Sequence, residues 1–271
     1  GSYTFNNTFN GLPAGSFVLH LQDANGCVID TSQVLQQPTD IVPSATLTPV
    51  ACHGDNTGVA VIGGSGGTPG YTYAKGTGAF GSGNTFTNLP AGTQLFKIKD
   101  LKGCVKDTTI NITEPSALLF DSLIVSNLLC NDDGTGKIKA NGSGGTPPYT
   151  YAINANPFGT ANIFTGLQAA TYAVHLKDSL GCLYDSASTI TEPQEISPAI
   201  AITTPLCFGQ STGVVVISAT GGTPAYTYAK GTGSFGTTSS FGSLAAGSHT
   251  FHVKDNNGCT EDTTITITEP T

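Results

Sequence analysis

The chain has 271 residues, a formal net charge of −8, only 10% charged residues, and 35 Gly with 15 Pro. The acidic balance excludes the basic footprint of a nucleic-acid binder, and the Gly and Pro content, with no sustained 3.6-residue apolar period, argues against long helices. No signal-peptide pattern, 18-residue apolar stretch or lipidation motif is present, features that a slice from the middle of a longer protein lacks in any case.

What remains is short strands joined by turns, taken here in chain order. Residues 1–38 carry the second half of a pattern, from Tyr3-Thr4-Phe5 through the alternating Leu19 and Leu21 to Cys27 and Gln37-Pro38. The first complete copy spans 39–115. In it, strand A is expected around Ala45 to Leu47, strand B at Gly58 to Ile62, strand C at Tyr71 to Ala74, a short middle strand at Thr85 to Leu89, strand F at Thr93 to Lys99 and strand G at Asp107 to Thr113. These features suit a seven-strand sandwich. Strand F gives the clearest alternation. Leu19/Leu21, Phe96/Ile98, Val174/Leu176 and Phe251/Val253 should face a core, and His20, Lys97, His175 and His252 should face away.

Two further copies follow, 116–193 and 194–271. Cys27, Cys104, Cys182 and Cys259 each end an Asp-x-x-Gly-Cys segment at intervals of 77, 78 and 77 residues, and Cys52, Cys130 and Cys207 stand 78 and 77 apart. Between them the text repeats column by column. Gly-Gly-Thr-Pro-x-Tyr-Thr-Tyr-Ala starts at Gly66, Gly144 and Gly221, and Thr-Glu-Pro closes each copy at 113–115, 191–193 and 268–270. The fold class is therefore all-β: tandem immunoglobulin-like β-sandwich domains of about 77 residues arranged end to end, without the Trp that marks antibody domains. A unit of that size holds a small core of its own.

The succession Cys-x-Gly, Gly-Gly-Thr-Pro-Pro-Tyr-Thr-Tyr (Gly144 to Tyr151) and a strand ending in Asp-x-x-Gly-Cys resembles the SprB-type repeat of Bacteroidetes gliding-motility adhesins, over essentially the whole chain. Departures are small: Asn131 in Cys130-Asn131-Asp132, and Pro69-Gly70 in place of Pro147-Pro148. The resemblance implies the structural stalk of a very large secreted cell-surface adhesin, exported by type IX secretion and associated with the outer membrane. It also implies partners: gliding or surface-anchoring machinery engaged through other parts of the parent chain, and an external surface or polysaccharide. The alternative is that the repeats are spacers presenting a separate ligand-binding or catalytic domain of a secreted protein.

Seven cysteines in a secreted chain imply disulfides with at least one partner elsewhere. One pairing stays within repeats, Cys52–Cys104, Cys130–Cys182 and Cys207–Cys259. In an immunoglobulin-like topology, however, the first cysteine lies in the A–B turn and the second in the F–G turn, at opposite ends of strands about 20 Å long. A disulfide needs Cα atoms within about 7 Å. The preferred pairing therefore crosses between domains, Cys52–Cys182 and Cys130–Cys259.

Other chemical signals are set against their plain structural readings. Gly76 to Gly81 and Gly231 to Gly236 fit G-x-G-x-x-G, but the motif recurs in a β repeat with no helix to follow, so no nucleotide and no other cofactor is expected. The histidines are a domain length apart, and no Ser-His-Asp or paired-carboxylate set stands out; enzymatic turnover is not expected. Asp55, Asp132 and Asp133, with Asp100, Asp178 and Asp255, are candidate Ca²⁺ ligands, although Asp also favours such turns by bonding its own backbone. Thr108, Ser122, Ser179, Ser186 and Thr263 sit in Asp-Ser/Thr segments similar to the O-glycosylation acceptor of exported Bacteroidetes proteins, and are equally suited to strands by propensity.

Overall fold

Alternation of apolar with polar side chains, interrupted every few residues by Gly or Pro, leaves strand pairing as the way to satisfy the backbone. The computed structural model describes residues 7–271; the Tyr3-Thr4-Phe5 start of the partial repeat lies outside the described residues. Two compact units, Gly1–Pro115 and Ser116–Thr271, are taken separately.

The first unit opens with a two-stranded antiparallel ribbon, β1 (Gly15–Gln22) and β2 (Val28–Leu35). Six strands follow: β3 (Val42–Thr48), β4 (Gly58–Ser65), β5 (Thr72–Lys75), β6 (Thr85–Leu89), β7 (Gly92–Lys99) and β8 (Val105–Ile112). They form two antiparallel sheets, ordered β3-β4-β6 and β5-β7-β8. This is the A-B-E and C-F-G division of an immunoglobulin-like sandwich. The expected seventh strand is missing. The segment between β5 and β6 holds Gly76, Gly78, Gly81 and Gly83, and it turns rather than pairs, apart from one bridge between Tyr73 and Gly81.

Between the sheets lie Ala60 and Ile62 of β4, Leu89 of β6, Phe96 and Ile98 of β7, and Ile112 of β8, all at most 2% exposed. Phe86 tilts against Phe96 with ring centroids 4.9 Å apart. Each such large apolar side chain contributes about 1.5–3 kcal/mol by leaving water. The ribbon shows what happens without a facing sheet: Leu21, the counterpart of the fully buried Ile98, is 70% exposed. The expectation that Leu21 faces a core therefore fails, because the partial repeat supplies only the F and G strands.

The second unit contains the six-strand pattern twice. Strands β9 (Leu119–Ser126), β10 (Gly136–Ser143), β11 (Thr150–Ile153), β12 (Ile163–Leu167), β13 (Ala170–Lys177) and β14 (Leu183–Ile190) make sheets β9-β10-β12 and β11-β13-β14. Strands β15 (Ser197–Thr203), β16 (Gly213–Thr220), β17 (Thr227–Lys230), β18 (Ser240–Leu244), β19 (Gly247–Lys254) and β20 (Thr260–Ile267) repeat the arrangement. Val174, Leu176, Phe251 and Val253 are wholly buried, as the alternation of strand F predicts.

Candidate functional site

The polar constellation that recurs in every complete copy is built around the cysteines, and it has two halves. The first is the A–B turn. Between β9 and β10, Asp133 folds the turn on itself: its carboxylate accepts the Cys130 N–H at 3.0 Å, the Thr135 N–H at 2.9 Å and the Thr135 hydroxyl at 2.7 Å. These donors, the Thr135 hydroxyl foremost, hold the Asp133 carboxyl below its ordinary range. Glu192 of the Thr-Glu-Pro segment then clasps the turn, its Oε2 accepting the Asp132 N–H at 2.7 Å. Glu114 and Glu269 do the same for the N–H of Gly54 and Gly209, at 2.6 and 2.7 Å.

The second half is the F–G turn. Asp255 is 4% exposed and bridges two turns: Oδ1 accepts the Cys259 N–H at 2.9 Å, and Oδ2 accepts the Thr223 N–H of the Gly-Gly-Thr-Pro segment at 2.8 Å. Asp178 and Asp100 repeat both bonds, to Cys182 and Thr146 and to Cys104 and Thr68. The Thr68 N–H is the largest influence holding the Asp100 carboxyl below its ordinary range; removal from water pushes the other way, and the N–H groups of Cys104, Lys102 and Gly103 reinforce the lowering. Gly222 is required beside this carboxylate. It has φ of +52°, and a Cβ there would sit 2.7 Å from Asp255 Oδ2.

In the second unit these halves meet. Cys130 and Cys259 are joined with S–S 2.05 Å and Cα–Cα 5.5 Å, across 129 residues of sequence. Beside the cystine, Asn257 Nδ2 donates to Leu129 O and lies within reach of Thr223 Oγ1, both at 3.0 Å. Cys52 and Cys182 are also in disulfide form. The pairings Cys52–Cys104, Cys130–Cys182 and Cys207–Cys259 do not occur, since Cys104 and Cys207 are free thiols and Cys130 is bonded to Cys259. The reason is the topology. The A–B turn lies where β13 begins and the F–G turn where it ends, and eight residues of strand separate them by about 26 Å.

The other candidate residues have different places. Among the described residues no three His, Cys, Asp or Glu side chains converge as a metal site. The Asp133 oxygens are taken by their own turn, those of Asp100, Asp178 and Asp255 by backbone N–H groups, and Asp55 and Asp132 lie in exposed turns. Of the Ser and Thr candidates, Ser179 is exposed, its hydroxyl donating to Thr146 O at 2.8 Å. Ser122 is half-buried and accepts from Asn141. Thr108, Ser186 and Thr263 are half-buried opposite the core residues Phe96, Val174 and Phe251, so they share the inward face of their sheet.

The strand F column faces outward and is paired. His20, His175 and His252 hold Nδ1 at 2.5, 2.7 and 2.5 Å from Asp30, Asp185 and Asp262, and Lys97 Nζ stands 3.3 Å from Asp107. Lys99, Lys177 and Lys254 cap the rings of Phe80, Phe158 and Phe235 at 4.3–4.4 Å. Sequence reasoning found the column and missed its partners. The signal was present, since an Asp follows each member ten residues later.

The sandwiches, their repetition and the recurring cysteine turns define the class: tandem immunoglobulin-like repeats of the adhesin type, built for an oxidising compartment. The SprB repeat family model matches residues 44–79, 122–158 and 199–233. The chain is thus an SprB-type repeat region. No curated protein matches the sequence. Among solved structures it is similar to Sidekick-1 immunoglobulin domains 1–5, at 13% identity, TM-score 0.32, covering 94% of this chain and 66% of that one. It is also similar to the N-terminal eight immunoglobulin domains of Down Syndrome Cell Adhesion Molecule, at 10% identity, TM-score 0.37, covering 94% and 43%. A third is surface layer protein SbsC, domains 1–6, at 12% identity, TM-score 0.24, covering 94% and 44%. The chain spans less than two thirds of the length of each of these three. At such TM-scores the likenesses carry no part of the fold assignment, which rests on the sheets themselves.

Proposed function

We propose that this chain is a stretch of the structural stalk of a very large secreted cell-surface adhesin of the gliding-motility kind. It works without turnover, and other parts of the longer protein make the outer-membrane attachment and engage the gliding or anchoring machinery. The observation that supports this most is the Cys130–Cys259 cystine, which joins successive repeats through two turns that each repeat rebuilds with its own Glu and Asp. A covalent tie between successive domains carries tension and does nothing for turnover, and it suits an exported protein. A weakly adhesive surface for polysaccharide or solid substrata is supplied by the outward Thr and aromatic side chains.

The test is immunolabelling of intact cells of the native host with antibodies against this region. Labelling before lysis, and displacement of the label along the cell during gliding, is expected. Labelling that appears only after lysis would sink the proposal.

A further inference from the structure

The two halves of the cysteine junction also occur unjoined, at opposite extremes of the repeat series. In the fourth copy the A–B turn carries Cys207, exposed and free, between Leu206 at 85% and Phe208 at 75% exposure. This turn is already clasped in the same way as that of Cys130, with the Gly209 N–H on Glu269 at 2.7 Å. In the second copy the F–G turn carries Cys104, exposed and free, on Asp100. Beside it is a pocket lined by Thr39, Asp40, Ile41, Gly67, Cys104 and Lys106. The fourth copy has the same pocket, lined by Gln194, Glu195, Ile196, Gly222, Cys259 and Glu261, and there Cys130 and Asn131 of the preceding copy complete the wall. The pockets measure about 330 and 340 Å³. Position by position, the second copy has a socket matching the one that receives Cys130, and the fourth copy has a turn matching the one that fills it.

We infer that the Leu206-Cys207-Phe208 turn of one molecule docks in the Cys104 pocket of a second copy of this chain, and that the two cysteines then form an intermolecular cystine. The occupant follows from continuity with the interface already present between the third and fourth copies. Docking buries two large apolar side chains that otherwise face water. Lys102 stands where Asn257 stands in the joined junction and keeps a donor there for the Leu206 carbonyl. The contact is heterologous, since each molecule presents a turn at one extreme and a socket at the other, and such contacts propagate into linear chains. The inference rests on the junction geometry and not on the adhesin proposal.

The bond forms by exchange with a small-molecule disulfide such as oxidised glutathione. The Cys207 thiolate attacks one sulfur and expels one small thiolate; the Cys104 thiolate of the second copy then attacks the Cys207 sulfur and expels the other. Two protein thiols become one cystine, the small disulfide becomes two thiols, and the two leaving thiolates take up the two protons.

The test uses the whole 271-residue chain in a glutathione redox buffer, followed on non-reducing gels and by mapping of linked peptides. A ladder of dimer, trimer and longer species linked Cys207–Cys104 is expected. Cys207→Ser alone and Cys104→Ser alone should each lose every species above dimer, while an equimolar mixture of the two variants gains a dimer carrying the Cys207–Cys104 bond. Cys27→Ser should keep the full ladder, because the partial repeat presents the Asp-x-x-Gly-Cys turn without a Gly-Gly-Thr-Pro wall beside it. Wild-type chain that stays monomeric, or Cys207–Cys27 and Cys207–Cys207 bonds forming as readily as Cys207–Cys104, would overturn the inference.

Discussion

Glu192 holds the backbone N–H of Asp132 at 2.7 Å from 60 residues away, and in doing so fixes the turn that presents Cys130. A carboxylate on a backbone N–H is a charge-assisted bond, stronger than a neutral one. Replacement of Glu192 by Ala should therefore cost about 1 kcal/mol, discounted for its exposure to solvent. The same replacement should slow reformation of the Cys130–Cys259 bond after reduction, measured by thiol trapping, while the core of the third copy melts almost unchanged.

Loss of the cystine has a larger and separable effect. For 129 residues between bonded cysteines, chain entropy alone gives about 5 kcal/mol. Cys130→Ser and Cys259→Ser should lower the unfolding midpoint to the same extent, and the double variant no further. A reductant should lower the wild-type midpoint toward theirs. A double variant that falls by the sum of the two singles would contradict a shared bond.

Mechanical unfolding gives an independent measure. Stretched from its ends, oxidised protein should withhold up to about 440 Å of contour length between Cys130 and Cys259, at about 3.4 Å per residue. Reductant in the same trace should release it.

Asp100 sets the acid limb of stability in the first unit. Its folded-state carboxyl lies below the ordinary value of 3.8, so the folded state binds its proton less readily than the unfolded chain does. The stabilisation is complete above that ordinary value and is lost as pH falls through the lower folded-state value. Asp100→Asn should leave a shallower fall in melting temperature below about pH 4, with little change in slope at neutral pH. An unaltered acid limb would show that other carboxylates dominate it.

Core substitutions should act copy by copy. Phe96→Ala removes a fully buried ring and should destabilise the second copy by about 3–5 kcal/mol. Hydrogen exchange should show the loss in β3 to β8 and leave β15 to β20 protected. Site mapping of protein from the native host should likewise find any O-glycan added after folding at Ser179 rather than at the inward Thr108, Ser186 or Thr263.

Much of the fold is legible in the sequence, because alternation on strand F and Gly or Pro at the turns act locally. β6 spans Thr85–Leu89 as read, and Phe96 and Ile98 point where alternation puts them. The missing seventh strand was harder to foresee: four glycines between Lys75 and Asn84 remove the side chains that a strand packs, yet Gly alone also marks bulges. The clasp by Glu114, Glu192 and Glu269 and the bridging by Asp100, Asp178 and Asp255 depend on segments about 60 and 32 residues away. No periodicity reports a bond of that reach. Asp before Gly-Cys accordingly looked like a ligand in waiting, when its oxygens are already engaged by backbone donors.

The third and fourth copies form one closed covalent ring through the Cys130–Cys259 bond. A protease that cuts the main chain once anywhere between these two cysteines, including the stretch around Pro193 and Gln194, leaves both pieces attached. For a protein exposed to the hydrolases of its surroundings, damage of that kind is survivable: a nicked molecule keeps its continuity until a second break or a reductant arrives.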